Sequence, residues 1–209
     1  MLFGEGVRRR IADFRSGAMR FCKDRRGVAA IEFAFLAPVL IAMYFVTMEI
    51  SQGIETNKKV SRVASMVADL VTQRSALSED EIKAIMNIGT STLQPYSRSA
   101  PKITVTLIAI SDESSPKVTV VWSRKSDAGV FGIGAAAKSA TTVPTSLKVR
   151  DTYLIRVQAE LSYKPVITWA ASGKETAGLS AAFDSISMSE TYYLKARMSK
   201  KVDCSDCKG

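Results

Sequence analysis

The sequence contains no histidine and only three cysteines among its 209 residues. Histidine is the commonest general base and a frequent metal ligand, and three thiolates cannot complete a four-cysteine zinc site. We therefore expect no enzyme activity, no bound metal and no other cofactor. A chain of this length can form one folded domain with a sizeable core and still supply a membrane span.

The excess of positive charge lies mainly at the start of the chain. The formal net charge is +9, and residues 1–27 hold eight Lys or Arg against three acidic residues. Lys and Arg beside an apolar segment keep that end of a membrane protein in the cytoplasm. Because an apolar segment follows at once, the pattern indicates membrane orientation, and we expect no nucleic-acid partner.

The apolar segment covers residues 28–48 and contains one charged side chain, Glu32. At about 1.5 Å per residue, a helix of this length matches the ~30 Å hydrocarbon core of a bilayer. It is longer than the apolar part of an ordinary secretory signal, so we predict a retained span. A charge in hydrocarbon costs roughly 2.5–3.5 kcal/mol. Glu32 therefore either lies at the headgroup level or has a compensating role.

Helical periodicity continues beyond the span. Apolar residues recur at spacings of three and four, separated by polar ones: Val60, Val63, Ala64, Val67, Leu70 and Val71. The pattern predicts one helix from about Val28 to about Gln73, apolar all round in its first half and on one stripe in its second half. Such a helix can leave lipid and then pack against a folded domain.

A second, shorter helix is predicted next. The sequence "SEDE" places Ser78 and Glu81 at the spacing of a capping box, in which the two side chains accept hydrogen bonds from backbone amides at a helix start. We expect this helix to end near Asn87 and to be closed by Gly89.

The remaining chain alternates with a period of two. Four segments each place apolar residues on one face: Ile103, Val105, Leu107 and Ala109; Val118, Val120 and Trp122; the odd positions from Tyr153 to Tyr163; and Ile186, Met188, Tyr192, Leu194, Ala196 and Met198. We predict an α+β fold in which the long N-terminal helix packs on an antiparallel sheet of about four strands. Residues 126–149 are rich in Gly, Ala, Ser and Thr, which favours a long loop.

Two cysteines close to the C-terminus form the pattern "CSDC" at Cys204 and Cys207. Beyond the membrane, oxidation is expected, whereas Cys22 in the leader would stay reduced. The pair follows a strand and opens no helix whose dipole could lower a thiol pKa, so we predict a small disulfide that is dispensable for folding. A membrane-anchored thiol oxidoreductase would need a βαβ setting, which the pattern does not provide.

The string "RRGVAAIEFAFLAPVL" resembles the type IV prepilin family, in which a prepilin peptidase cuts after the glycine and glutamate is the fifth residue of the mature chain. It is most similar to the TadE-like minor pseudopilins of tight-adherence (Flp) pilus systems. A long helix and a β-rich region ending near Tyr163-Lys164-Pro165 extend the resemblance. The size of the chain argues against a Flp major pilin. No "D-x-S-x-S" adhesion signature occurs, which argues against TadG-like relatives.

The resemblance implies cleavage between Gly27 and Val28 and a role for Glu32 and Phe33 in subunit assembly. It also implies three regions: a basic cytoplasmic leader (1–27), a transmembrane and spine helix (28–75) and an extracytoplasmic α+β domain (76–209). The expected location is the inner membrane, with a periplasmic domain that can enter an extracellular pilus. The expected partners are the prepilin peptidase, other pilins and pseudopilins, the pilus assembly platform and membrane lipid.

The same resemblance supplies a hypothesis for Glu32. Cleavage would create a Val28 α-amine with a pKa of ~7.7–8.0, charged at neutral pH. In a stack of subunits, Glu32 of one chain could pair with the Val28 amine of a neighbour, so that a costly residue would set the register of assembly. The alternative is an uncleaved single-span protein whose outer domain binds another envelope component.

Overall fold

The computed structural model describes residues 27–165 and 186–207, so the leader up to residue 26, with Cys22, lies outside the described residues. The chain divides into two compact units, one up to Met48 and one from Glu49. The helices are α1 (Val28–Thr72), α2 (Glu79–Thr92) and a short 3-10 helix (Thr145–Leu147). The strands are β1 (Ala76–Leu77), β2 (Lys102–Ile110), β3 (Val118–Asp127), β4 (Val130–Ile133), β5 (Thr152–Tyr163), β6 (Ile186–Leu194) and β7 (Asp203–Cys204).

Helix α1 confirms the predicted long helix and ends one residue before the predicted Gln73. The part of α1 after Met48 buries one stripe of small and β-branched residues in the main core: Val60, Val63, Ala64, Val67, Ala68 and Val71. The same core contains the apolar side chains of the sheet. Small residues on this stripe let the helix approach the strands closely.

The sheet has five strands in the order β4-β3-β2-β5-β6, and every neighbouring pair is antiparallel. Val105 on β2 lies opposite Val157 on β5, and Val157 lies opposite Tyr192 on β6. One face of the sheet therefore presents a continuous apolar surface to α1. The predicted α+β fold is confirmed, with β4 as an additional strand.

A β-bulge in β3 makes one prediction wrong. Val118, Val120 and Trp122 were expected on one face, but the register with β2 shifts between Leu107 and Ile108, where Leu107 pairs with Trp122 and Ile108 with Val120. The extra residue in β3 moves the side chains on one side of the bulge to the opposite face of the sheet. Trp122 therefore enters the main core, whereas Val118 lies in a separate cluster.

That separate cluster occupies the opposite face of the sheet and contains Ile108, Ile110, Val118 and Leu154. Val143 and Leu147 pack against it. Both belong to the segment 126–149, which was predicted to be a loop. The segment in fact contains the end of β3, β4 and the 3-10 helix. Its apolar residues are too sparse for a periodic pattern, yet they cover an apolar patch of the sheet.

The last long strand is shorter than predicted. β6 pairs Met188 with Leu161 and Leu194 with Ile155, which confirms its apolar face up to Leu194. The predicted strand included Ala196 and Met198, but β6 ends at Leu194, and Met198 is 71% exposed. The chain then returns to form β7, which pairs in parallel with β1.

Helix α2 confirms the predicted capping box. The Ser78 backbone N–H donates to Glu81 Oε2 at 2.8 Å, and the Glu81 N–H donates to Ser78 Oγ at 3.2 Å. The predicted end of this helix is wrong, because α2 continues through Gly89 to Thr92. Gly89 is buried where α2 crosses α1. A β-carbon at Gly89 would lie 2.9 Å from Val67 Cγ2 and 3.2 Å from Val63 Cγ1.

Gly89→Ala is expected to lower the free energy of unfolding by about 1 kcal/mol. Overpacking against two stiff valines costs roughly 1–3 kcal/mol, and the better helix propensity of alanine recovers up to about 1 kcal/mol. Gly53→Ala is the matched control, since a β-carbon there meets only Tyr163 Cε1 at 4.0 Å. It should stabilise the protein by about 0.5–1 kcal/mol. Urea unfolding in detergent, followed by Trp fluorescence, measures both. Equal shifts of the same sign would contradict the close helix crossing.

Candidate membrane and subunit-assembly site

Residues 28–48 of α1 present apolar side chains to the surroundings on every side. Within the described chain, α1 is the one helix that is long and apolar enough to cross a membrane by length and composition. No residue of its most apolar 18-residue stretch is buried. Large exposed side chains include Phe33, Phe35, Leu40, Tyr44 and Phe45. An exposed apolar surface of this extent needs lipid or another protein as its environment.

The residues of the predicted processing and assembly motif lie at the start of this segment. Val28 is the first residue of α1, and Gly27 directly precedes it. Glu32 is exposed one turn further, and Phe33 beside it is 69% exposed. Among the described residues, no Lys or Arg lies within ion-pair distance of Glu32. The structure thus places the motif at an accessible helix end, while cleavage and pairing stay predictions.

A polar cluster lies where the apolar run ends. Tyr163 Oη donates a hydrogen bond to Glu49 Oε1 at 2.5 Å, and Arg98 Nη2 donates to Gln52 Oε1 at 3.2 Å and to Tyr163 Oη at 3.4 Å. The rings of Tyr96 and Tyr163 are stacked with centroids 5.3 Å apart. We call these five residues the exit cluster.

Of the exit cluster, the sequence motif Tyr163-Lys164-Pro165 contains only Tyr163, and the motif does not predict the contact of Tyr163 with α1. Tyr96 and Arg98 come from the connection between α2 and β2, which carries no periodic signal. The one available indication was an aromatic and a basic residue close together in "QPYSRS".

Cys204 and Cys207 are joined by a disulfide with a Cα–Cα distance of 5.2 Å. Both residues are buried in the main core rather than lying on a free tail. β7 places Cys204 beside Leu77 of β1, and Trp122 Nε1 donates to the Val202 carbonyl at 3.0 Å. The C-terminal segment therefore closes the core near the start of α2.

Charged groups hold the same segment from outside the core. Arg124, whose side chain is only 8% exposed, donates to the Asp206 carbonyl at 3.1 Å and forms an ion pair with Glu79 at 3.4 Å. The Glu79 backbone N–H donates to Asp206 Oδ2 at 3.2 Å, and this hydrogen bond holds the pKa of Asp206 below its usual value. A lowered carboxyl pKa stabilises the fold at neutral pH, and the contribution is lost as the pH falls through that pKa.

We expect the double variant Cys204→Ala/Cys207→Ala to fold with a free energy of unfolding lower by about 2 kcal/mol, the loop-closure value for so short a bridge. The buried position makes this loss measurable despite the small loop. All three proteins are produced at full length without the peptidase, and Cys22→Ala is the matched control, because it removes a thiol outside the C-terminal segment. Urea unfolding in detergent under non-reducing conditions compares the three proteins. An unchanged midpoint in the double variant would show that the bridge contributes nothing.

Comparison with known proteins bears on the N-terminal segment. Residues 27–69 match the model of a family described as TadE-like protein. No curated protein and no solved structure matches the chain. The matched residues begin at the glycine of the predicted cleavage site and include the apolar run and most of the buried stripe of α1. The resemblance predicted from "RRGVAAIEFAFLAPVL" is therefore confirmed as a match to the TadE-like family over residues 27–69, and it points to a role in tight-adherence pilus systems.

Proposed function

We propose that this chain is a non-enzymatic minor pseudopilin that a prepilin peptidase processes and that acts in the assembly of a tight-adherence (Flp) pilus. The family match over residues 27–69 carries this proposal. The match begins at Gly27, where cleavage is proposed, and covers most of the helix that would anchor and align the subunit. The main alternative is an uncleaved single-span protein that binds another envelope component through its outer domain.

The proposed topology has the leader in the cytoplasm and the α+β domain in the periplasm. The eight Lys or Arg of residues 1–27 support this orientation by the positive-inside rule. The disulfide between Cys204 and Cys207 is compatible with an oxidising compartment for the domain. The inner membrane would hold residues 28–48 before the subunit joins a pilus.

The proposed assembly step uses the exposed surface of residues 28–48. In lipid the apolar side chains are satisfied by acyl chains, whereas in a pilus they would pack against the same segments of neighbouring subunits. Glu32 is unfavourable in the first environment and favourable in the second, provided that a Val28 amine of a neighbour lies beside it. Platform proteins and other pilins would be the partners in this step.

Intact-mass measurement tests the processing. In cells that contain the prepilin peptidase, the protein isolated from membranes should lack residues 1–27 and begin at Val28. Gly27→Leu should retain the leader, because the larger side chain would not fit a cleft that accepts glycine. Gly17→Leu, which changes a leader glycine away from the junction, should still be cut. A full-length mass for the wild-type protein in peptidase-competent cells would favour the uncleaved alternative.

Glu32→Gln is expected to be inserted and cut like the wild type but to reduce surface piliation or partner association strongly. Stranding a buried amine after removal of its counter-charge costs roughly 3–5 kcal/mol, whereas insertion becomes easier without the charge. Glu55→Gln is the matched control, because it neutralises an exposed acid of α1 beyond the span. Processing by gel shift and piliation by microscopy are compared for both variants and for Glu32→Asp. Normal piliation of Glu32→Gln would indicate that Glu32 is only a carboxylate at the membrane interface and has no role in assembly.

A further inference from the structure

Asp206 lies inside the short loop that the Cys204–Cys207 bridge closes, and it contacts two distant elements. Its side chain accepts a hydrogen bond from the Glu79 backbone N–H at 3.2 Å, and its backbone carbonyl accepts from Arg124 Nη2 at 3.1 Å. Both acceptors belong to one residue of a closed loop. The bridge therefore restricts where both of them can lie.

These contacts serve a helix end and a buried cation. The first amides of a helix have no acceptor within the helix. At the start of α2 the capping box supplies acceptors to the Ser78 and Glu81 amides, and Asp206 supplies one to the Glu79 amide. Arg124, whose side chain is 8% exposed, also pairs with Glu79 at 3.4 Å. A buried charge needs such partners, so Asp206 helps to hold the start of α2 and Arg124 together.

The side chain of Asp206 also lies beside the bridge. The hydrogen bond from the Glu79 amide lowers the pKa of Asp206, so the carboxylate is ionised at neutral pH and acts only as an acceptor. Its Oδ1 lies 3.5 Å from Cys204 Sγ. Reduction of the bridge places an S–H donor at this position, which competes with the Glu79 amide for the position of the carboxylate.

The two sulfur atoms of the bridge differ in their access to solvent. Cys204 borders an open groove of about 430 Å³, together with Leu77, Ser78 and Ser205. Cys207 is not among the described residues that line the groove, and it is 1% exposed. A thiolate that enters the groove meets Cys204 first, so Cys207 is the leaving sulfur of an exchange reaction.

We propose that the Cys204–Cys207 bridge is a redox-controlled latch on the start of α2, which a dithiol reductant opens. One thiolate of the reductant attacks Cys204 Sγ and forms a mixed disulfide, while the S–S bond breaks and Cys207 leaves as a thiolate that takes up a proton. The second thiol of the reductant loses its proton, attacks the reductant's own sulfur in the mixed disulfide and releases Cys204. The reductant ends as a disulfide and both cysteines end as thiols.

Opening the latch changes the contacts of one residue and leaves the fold in place. Without the closed loop, Asp206 leaves the Glu79 amide for part of the time, whereas the capping box of Ser78 and Glu81 remains. The oxidised state closes the latch again. In the proposed topology the latch closes once the domain reaches the oxidising side of the membrane, and only this last point rests on the proposed function.

Hydrogen exchange of the full-length Cys22→Ala protein in maltoside micelles, resolved for single amides by NMR, tests the latch. Dithiothreitol should speed exchange of the Glu79 amide about fivefold, the effect of losing one hydrogen bond, and reoxidation should restore the slow rate. The Glu81 amide, which donates to Ser78 Oγ in the same helix start, is the internal control and should change much less. An unchanged Glu79 rate would overturn the proposal. Equal acceleration of both amides would also overturn it, because it would indicate fraying of the whole helix start.

Variants assign the effect to Asp206. Asp206→Ala should speed exchange of the Glu79 amide in the oxidised protein and reduce the effect of dithiothreitol to less than about twofold. Asp203→Ala removes an exposed acid of the same segment outside the loop and should respond to dithiothreitol like the parent protein. A full dithiothreitol response in Asp206→Ala would contradict the proposal. The measurement on the parent protein needs no substitution in the latch, so it stands even if a variant does not fold.

A limiting pulse of iodoacetamide on the reduced Cys22→Ala protein tests the site of exchange. Cys204 should be labelled about tenfold more than Cys207, because the groove reaches Cys204 whereas Cys207 is buried in the core. Fragment mass spectrometry measures the two labelled fractions. Equal labelling, or preferential labelling of Cys207, would overturn the assignment of Cys204 as the attacked sulfur. None of these outcomes depends on cleavage after Gly27 or on pilus assembly, so failure of the latch and failure of the proposed function are distinguishable.

Discussion

Burial of the apolar stripe of α1 against one face of the sheet is the interaction on which the described domain depends. Val63, Val67 and Val71 are fully buried, and burying a valine side chain contributes roughly 1.5–3 kcal/mol. The strands supply the other half of the contact through residues such as Val105 and Val157. Without the helix, this face of the sheet would be an exposed apolar surface. The sheet and the second half of α1 therefore stabilise each other, and the same helix is continuous with the apolar segment before Glu49.

A single helix can serve two environments because it satisfies its own backbone hydrogen bonds. Residues 28–48 expose apolar side chains on all sides, whereas the residues after Met48 bury one stripe and expose polar side chains on the other. A strand could not continue in this way, since its backbone donors and acceptors need a neighbouring strand. The change of environment is therefore carried by the side chains alone, and the sequence marks it at Glu49, the first charged residue after Glu32.

Features governed by local pattern were predictable from the sequence, and features governed by distant contacts were not. The period of α1, the capping box at Ser78 and the alternation of β5 each follow from neighbouring residues. The bulge in β3 depends on the partner strand, and the role of Gly89 depends on Val67, a residue of another helix. The motif from Gly27 to Phe33 is contiguous and was recognised for that reason. The exit cluster joins three separate segments, so no local pattern contains it.

Directional contacts complete what apolar packing leaves undetermined. Hydrophobic burial is non-directional, so a stripe of similar valines would tolerate a shift of α1 along the sheet at modest cost. Hydrogen bonds require specific distances and angles, and they would be lost in such a shift. Within residues 27–165 and 186–207, such hydrogen bonds from α1 to strands include Tyr163 Oη to Glu49, and Tyr192 Oη with Ser61 Oγ at 3.0 Å. Apolar packing therefore supplies most of the attraction between α1 and the sheet, and these tyrosines set the position at which the helix is held.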